Sequence, residues 1–219
     1  MYPWIYETKN PIRGKCPHAC NYCYVPTSRV KRLYEGKPYL VESFFKHGLG
    51  QGKTIFIGSC FDIFAEPILT QWIELIFQRC VRFNNTYLFQ SKNPGRFHEL
   101  LKLGIPSNAI YGTTIETTDI NLSGMISSAP TVVNRWDAMV DLNLPDKMVS
   151  IEPILDFNLF RMVNWVETIK PKFVSIGADS KNHNLPEPPA EKVRELIQEL
   201  EKFTEVKIKK NLDRILIMK

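Results

Sequence analysis

The chain alternates short runs of β-branched and aromatic residues with longer stretches whose apolar residues recur every three or four positions. Residues 53–59 read as a strand ending in small polar residues. Residues 67–83 follow as a helix, with Leu69, Trp72, Ile73, Ile76, Phe77 and Cys80 on one face. A strand over 87–90, a helix over 94–103, a strand over 109–115 and a helix over 131–142 continue the rhythm. Further strands are predicted over 148–152, 173–176 and 206–209, with helices over 157–169 and 189–203; Leu196, Ile197 and Leu200 form the inner face of the last helix. Asn93 is expected to cap the 94–103 helix ahead of a first-turn proline, with Gly104 as its stop. Residues 5–14 add a weakly patterned first strand.

Strands alternating with helices predict βαβ units, a parallel sheet and the α/β class. Six or seven strands are too few for a closed eight-stranded barrel, which takes about 250 residues. An incomplete barrel is therefore expected, and a doubly wound sheet is the competing architecture. No repeat, linker or low-complexity stretch interrupts the pattern, so residues 1–219 are read as one domain. The strand ends are polar: Ser59 and Asp62, Ser91 and Lys92, Thr114 and Glu116, Ser150 and Glu152, then Asp179 and Lys209. Ligands of such folds bind at the carboxyl ends of the strands, so this recurrence predicts a shared pocket.

Composition changes the picture little. Hydrophobic residues at 44% and charged residues at 23% exclude a disordered or collagen-like chain. No apolar run approaches the roughly 18 residues of a membrane span, so no membrane partner is expected. The first residues lack the regions of a signal peptide, which predicts a cytoplasmic protein. A net charge of +5, with bases clustered at 29–32 and 207–210, is compatible with a polyanionic partner and equally with a solvated surface.

The five cysteines carry the chemistry. An odd count argues against a disulfide framework, and three of them, Cys16, Cys20 and Cys23, form C-x3-C-x2-C within eight residues. Three thiolates on one short loop suit an iron–sulfur cluster and leave one iron open to another ligand. Zinc fits less well, because structural zinc sites usually join two separated pairs and no second pair exists. His18 would complete a Cys3His set only by wrapping four ligands from eight residues around one ion. Cys80 reads as core, and His47, His98 and His183 receive no role.

With Tyr22 before its last cysteine, the motif C-x3-C-x-aromatic-C resembles the signature of the radical S-adenosylmethionine superfamily. The resemblance implies a partial (β/α)6 TIM-like barrel and a [4Fe–4S] cluster whose open iron binds the amino and carboxylate groups of S-adenosyl-L-methionine. It further implies one-electron cleavage of the sulfonium to a 5′-deoxyadenosyl radical, and a flavodoxin- or ferredoxin-like electron donor. Ile57-Gly58-Ser59-Cys60-Phe61-Asp62 looks like the segment that holds the methionyl amino group, in the Gly-Ser-x-x-Asp form of spore photoproduct lyase-like members. Residues 10–14, 112–116, 149–153 and 206–209 look like motifs of a phage-associated radical SAM-like family.

By this resemblance Tyr22 presents its backbone near the adenine. Ser59 and Asp62 are expected at the methionyl end, because an ammonium needs an acceptor. Thr114 and Glu116 are expected at the ribose hydroxyls or the carboxylate-facing side, and Glu152 at either of these or at substrate. Lys92 suits a carboxylate or phosphate, with an exposed strand-end lysine as the plainer alternative. Cys60 is read either as a hydrogen-atom donor near the radical or as a small buried hydrophobe. The basic, aromatic stretch 29–37 points to a nucleic acid or nucleotide substrate, against a solvated loop as the alternative. The competing function is a non-catalytic zinc or iron–sulfur module that binds nucleic acid.

Overall fold

The computed structural model describes residues 2–101, 106, 108–144, 146–181 and 183–217. Seven strands form one sheet: β1 (Glu7–Lys9), β4 (Thr54–Ile57), β5 (Thr86–Ser91), β6 (Ala109–Thr114), β7 (Lys147–Ile151), β8 (Phe173–Ile176) and β9 (Glu205–Ile208). Two short strands, β2 (Ile12–Arg13) and β3 (Tyr39–Leu40), pair antiparallel beside it. The helices are α1 (Glu42–Lys46), α2 (Thr70–Cys80), α3 (Gly95–Leu100), α4 (Ile120–Ile126), α5 (Val132–Asp141), α6 (Leu159–Ile169), α7 (Ala190–Leu200) and α8 (Asp213–Leu216). None of the described helices is long and apolar enough to cross a membrane.

Every pairing in the large sheet is parallel, and the spatial order follows the chain order from β1 to β9. A doubly wound sheet reverses its strand order at a switch point. This one does not, which decides for the incomplete barrel. Among the described residues β1 and β9 do not pair with each other, so the wall stays open on one side.

Alternation along the strands divides the side chains between two faces. Ile55, Ile57, Phe89, Val149, Ile151, Val174 and Ile176 pack outward against Ile73, Phe77, Met139, Met162, Val166, Val193 and Leu196 of the helices. Each such buried aliphatic or aromatic side chain contributes roughly 1.5–3 kcal/mol. On the concave face Leu88, Ile110, Met148 and Phe173 are covered by Tyr2 and Ile5, with Trp4 and Phe56 beside them. The N-terminal segment thus fills the base of the half-barrel, where β1 then begins.

One local expectation is corrected. Asn93 does not cap α3; Pro94 takes that position with no side-chain cap. The Asn93 side chain is buried and donates instead to the Phe64 carbonyl (3.2 Å) and to Glu66 Oε2 (3.3 Å), tying two strand-end loops together. Gly104, the expected stop of that helix, lies outside the described residues. The β2–β3 pair, α1, α8 and α4 were not expected; the Asp119 cap of α4 accepts from the Asn121 and Leu122 amides.

Candidate functional site

The polar strand ends do converge. A cavity of about 540 Å³ lies above them, within the size range of cofactor sites. Cys20, Tyr22, Cys23, Ser59, Lys92, Thr114 and Glu152 line it. A smaller pocket of about 170 Å³ shares Cys20, Cys23, Ser59, Lys92 and Thr114 with that cavity and adds Cys16, Cys60 and Asp62. All three motif cysteines therefore face one recess that opens into the larger space.

The cysteine loop is held from two sides. Gly14 turns the chain at φ +106°, where a Cβ would meet the Lys37 carbonyl at 2.5 Å. From the end of α4, the Ile126 carbonyl accepts from the Asn21 amide (2.9 Å), and the Ser127 hydroxyl lies 3.2 Å from Cys20 Sγ. Burial, helped by the Asp62 charge, pushes the Cys16 thiol up to about 12. Burial also raises the Cys23 thiol. Cys16 and Cys23 are therefore thiols at neutral pH in the metal-free chain, and binding a cationic metal centre there would release their protons.

Asp62 holds the other side. Its Oδ2 accepts from His18 Nε2 (2.8 Å), Ser91 Oγ (3.0 Å) and the Lys92 amide (2.8 Å), and its Oδ1 from the Phe64 amide (3.0 Å). Burial raises this carboxyl, but the His18 bond and charge and the two amides outweigh it, leaving the group below its ordinary value. Asp62 was expected to accept from a methionyl ammonium. Instead its acceptor capacity is largely spent on anchoring the cysteine loop to β4 and β5. His18 is turned to Asp62, so it does not join the cysteines as a fourth ligand. Asp62→Ala is expected to destabilise the metal-free chain by about 3 kcal/mol, because it strands several buried donors. Asp62→Asn should cost less, as it keeps an acceptor; denaturant melts of both variants check this.

Glu116 lines neither pocket. It is fully buried and accepts from Tyr22 Oη and Lys92 Nζ at Oε1, and from Arg135 Nη1 at Oε2 (2.6 Å). Burial raises its carboxyl, but the Lys92 and Arg135 charges prevail and hold it below its usual range. Lys92 also stands over the Tyr22 ring, 4.3 Å from the centroid. Two cations and one anion leave this cluster with a net positive charge, and Lys92 presents it to the main cavity. Lys92 is therefore not an exposed strand-end lysine.

Ser59 is set by Asn10, whose Nδ2 donates to Ser59 Oγ (3.2 Å) and whose Oδ1 accepts from the Cys60 amide (2.8 Å). Cys60 is partly buried, with Tyr24 Oη 3.4 Å from its sulfur. Thr114 accepts from Gln90 Nε2 (2.9 Å), and Tyr2 Oη donates to Gln90 Oε1 (2.7 Å) and lies 3.0 Å from the Ser150 hydroxyl, forming the cavity floor. Glu152 is paired with Lys209 (2.6 Å) and Asn211 (3.2 Å). His183, given no role from the sequence, pairs with Asp179 at 2.7 Å. Asn10, Arg135, Tyr2 and Gln90 were missed as site residues; only Asn10, inside the 10–14 motif, carried a signal.

Among the described residues no three His, Cys, Asp or Glu side chains are grouped to hold a single metal ion. No protein-family model matches the sequence, and no curated protein matches it significantly. Solved structures do match. A spore photoproduct lyase variant with bound AdoMet and dinucleoside spore photoproduct is 12% identical, with a TM-score of 0.58 over 89% of this chain and 60% of that one. A second spore photoproduct lyase variant reaches 0.63 at 10% identity, over 90% of this chain and 74% of that one. SuiB from Streptococcus suis gives 0.53 at 11% identity, over 95% of this chain and 49% of that one. The chain thus spans about 60% of the length of the first of these. At these identities the likeness shows the fold alone, an open parallel α/β barrel shared with these structures.

Proposed function

We propose that the chain is a radical S-adenosyl-L-methionine enzyme, in which Cys16, Cys20 and Cys23 hold a [4Fe–4S] cluster and S-adenosylmethionine binds in the adjoining cavity. The observation that carries this reading is the convergence of the three motif cysteines on one recess open to the strand-end cavity. It sits in a fold shared with a lyase solved with AdoMet bound. A cluster also suits the donor set better than zinc does. A cubane seats each thiolate on its own iron and needs no convergence on one ion. When bound, the cluster supplies one electron that cleaves the sulfonium into methionine and a 5′-deoxyadenosyl radical.

The chain's own residues bind and orient. Lys92, which carries the net positive charge of its cluster with Glu116 and Arg135 to the cavity, suits the methionyl carboxylate. Ser59, fixed by Asn10, offers oxygen acceptors to the ammonium, and Tyr22 is immobilised by Glu116 between two ligands. Thr114 is available to the ribose, and Glu152 faces the cofactor or the substrate. Cys60, which lines the recess, is available as a hydrogen-atom donor. The five free cysteines suit a reducing cytoplasm, and a flavodoxin- or ferredoxin-like protein would supply the electron.

The substrate is read as a nucleic acid or nucleotide. Arg29, Lys31, Arg32 and Lys37 are exposed, giving charge for phosphates; Tyr34, the one aromatic of the 29–37 stretch, is buried and offers no ring, whereas Tyr24 and Tyr39, flanking the stretch in sequence, are 44% and 46% exposed. Oligonucleotide binding should weaken steeply as salt rises, and Lys31→Ala with Arg32→Ala should reduce the log–log slope by about 2. The same slope in variant and wild type would remove this surface from the reading. The function itself is tested by anaerobic reconstitution followed by S-adenosylmethionine and dithionite. Brown protein that forms 5′-deoxyadenosine supports it; colourless protein with one tight zinc and no 5′-deoxyadenosine overturns it.

A further inference from the structure

Three lysines line the main cavity: Lys92, Lys181 and Lys209. Lys92 is paired with Glu116, and Lys209 with Glu152 at 2.6 Å. Lys181 is exposed, and among the described residues it has no carboxylate partner. The acids of its own loop are already engaged. Asp179 is buried and accepts from His183 Nδ1 (2.7 Å) and from the Lys181 amide (3.1 Å). Glu187 pairs with Arg214 (2.6 Å) and accepts from the Asp179 amide (3.1 Å).

The same contacts fix this wall of the cavity. Arg214 also donates to the Asp179 carbonyl (2.8 Å), so α8 is tied to the loop that follows β8 at both Asp179 and Glu187. Asn211 Nδ2 donates to the Ala178 carbonyl (2.7 Å) and to Ser180 Oγ (2.9 Å). Ser180 is the acceptor there, which leaves its own O–H free to donate. Ser180 and Lys181 are both exposed and both line the main cavity, so a ligand in it can reach either side chain. An ammonium without a counter-charge, beside a free hydroxyl donor, suits an anion with several oxygens. That anion is not the methionyl carboxylate assigned to Lys92. The cysteine recess shares Lys92 with the main cavity, but neither Ser180 nor Lys181 borders it.

We propose that Ser180 and Lys181 bind a phosphate of the substrate, at the part of the main cavity that does not border the recess. The proposal rests on the nucleotide reading of the substrate, and names where a phosphate of that substrate is held. Lys181 supplies the charge and Ser180 a directional hydrogen bond. The Asp179–His183 and Glu187–Arg214 pairs hold the loop that presents them.

Calorimetric titration of the reconstituted protein, with S-adenosylmethionine bound and no reductant, tests it. The probes are the four deoxynucleoside 5′-monophosphates, the matching deoxynucleosides and a short oligodeoxynucleotide. A monophosphate is expected to bind about tenfold tighter than its nucleoside. Lys181→Met should remove most of that advantage and leave nucleoside and S-adenosylmethionine affinity unchanged. It should also reduce the log–log salt slope of oligonucleotide binding by about 1. Ser180→Ala should lower the phosphate advantage less. Lys172→Met is the control: Lys172 is exposed, paired with Asp146 at 2.8 Å, and precedes β8 rather than following it. A merely structural Lys181 would lower the melting temperature when replaced and leave the phosphate advantage alone. Should the monophosphates bind too weakly to titrate, the oligonucleotide slope decides. If nucleotides and oligonucleotide bind Lys181→Met like wild type, the phosphate site is overturned and the nucleotide reading stands. If none of them binds wild type, the nucleotide reading falls and the site falls with it. An acidic peptide that binds through Lys181, with no phosphate advantage, would assign the wall to carboxylates and overturn the proposal.

Discussion

Cys20→Ala is expected to lower bound iron from about four per chain to less than one, and 5′-deoxyadenosine formation to background. Cys20 borders both the recess and the larger cavity, and its sulfur is already placed by Ser127. With one of three thiolates gone, two would remain to hold a four-iron cluster, too few to retain it. Cys16→Ala and Cys23→Ala should behave alike. Cys80→Ala is the control, because Cys80 is fully buried on α2 and should keep both iron and activity. Iron assay and chromatography of the nucleoside product read the outcome. Equal iron in Cys20→Ala and wild type would remove Cys20 from the ligand set.

Glu116→Ala is expected to destabilise the fold by about 3–5 kcal/mol, since it leaves two cations without their buried counter-charge. Arg135 is wholly buried, and its other acceptors, the Thr114 and Pro130 carbonyls, do not neutralise it. The same carboxylate sets an acid limit. Its folded-state value is depressed, so its stabilisation is fully present above the ordinary carboxylate range. That stabilisation is lost as pH falls through the folded value, and Asp62 acts in the same direction. Stability should therefore drop steeply below about pH 4. Glu116→Gln should be less stable at pH 7 and show a shallower drop. Denaturant melts at both pH values measure it, and parallel curves would mean that Glu116 does not titrate with unfolding.

The strand–helix alternation was legible because each long element buries one face, and burial imposes a period. Observed β8 matches its expected span, and most other ends move by one to three residues. The elements that were missed have no such period. β2 and β3 hold two residues each, and α4 leaves Ile120 and Met125 exposed, so no apolar stripe marks it. The cysteines were legible because their spacing is local. The partners of Asp62 were not legible because His18 and Ser91 lie 44 and 29 residues away, and only the folded chain brings them near. Arg135 sits within a helix that was expected, yet a basic residue there reads as surface until Glu116 is found beneath it. The segment 2–5 is too short to show a pattern, and its place is fixed by the curvature of the sheet it fills.

An unclosed wall also has two free margins, and each offers backbone groups to which another chain could add a strand. The chain keeps those margins short and charged. β1 is three residues long with Glu7 and Lys9 at its ends, and β9 is four residues long with Glu205 and Lys207 alternating along it. Across the margin, Lys53 joins Glu7 at 3.1 Å and Lys9 lies 3.3 Å from the same carboxylate. A second copy docking edge to edge would have to strip water from these ions before forming its first ladder bond. The open wall is thus defended against edge-to-edge addition by charge, with no further strand among the described residues to close it.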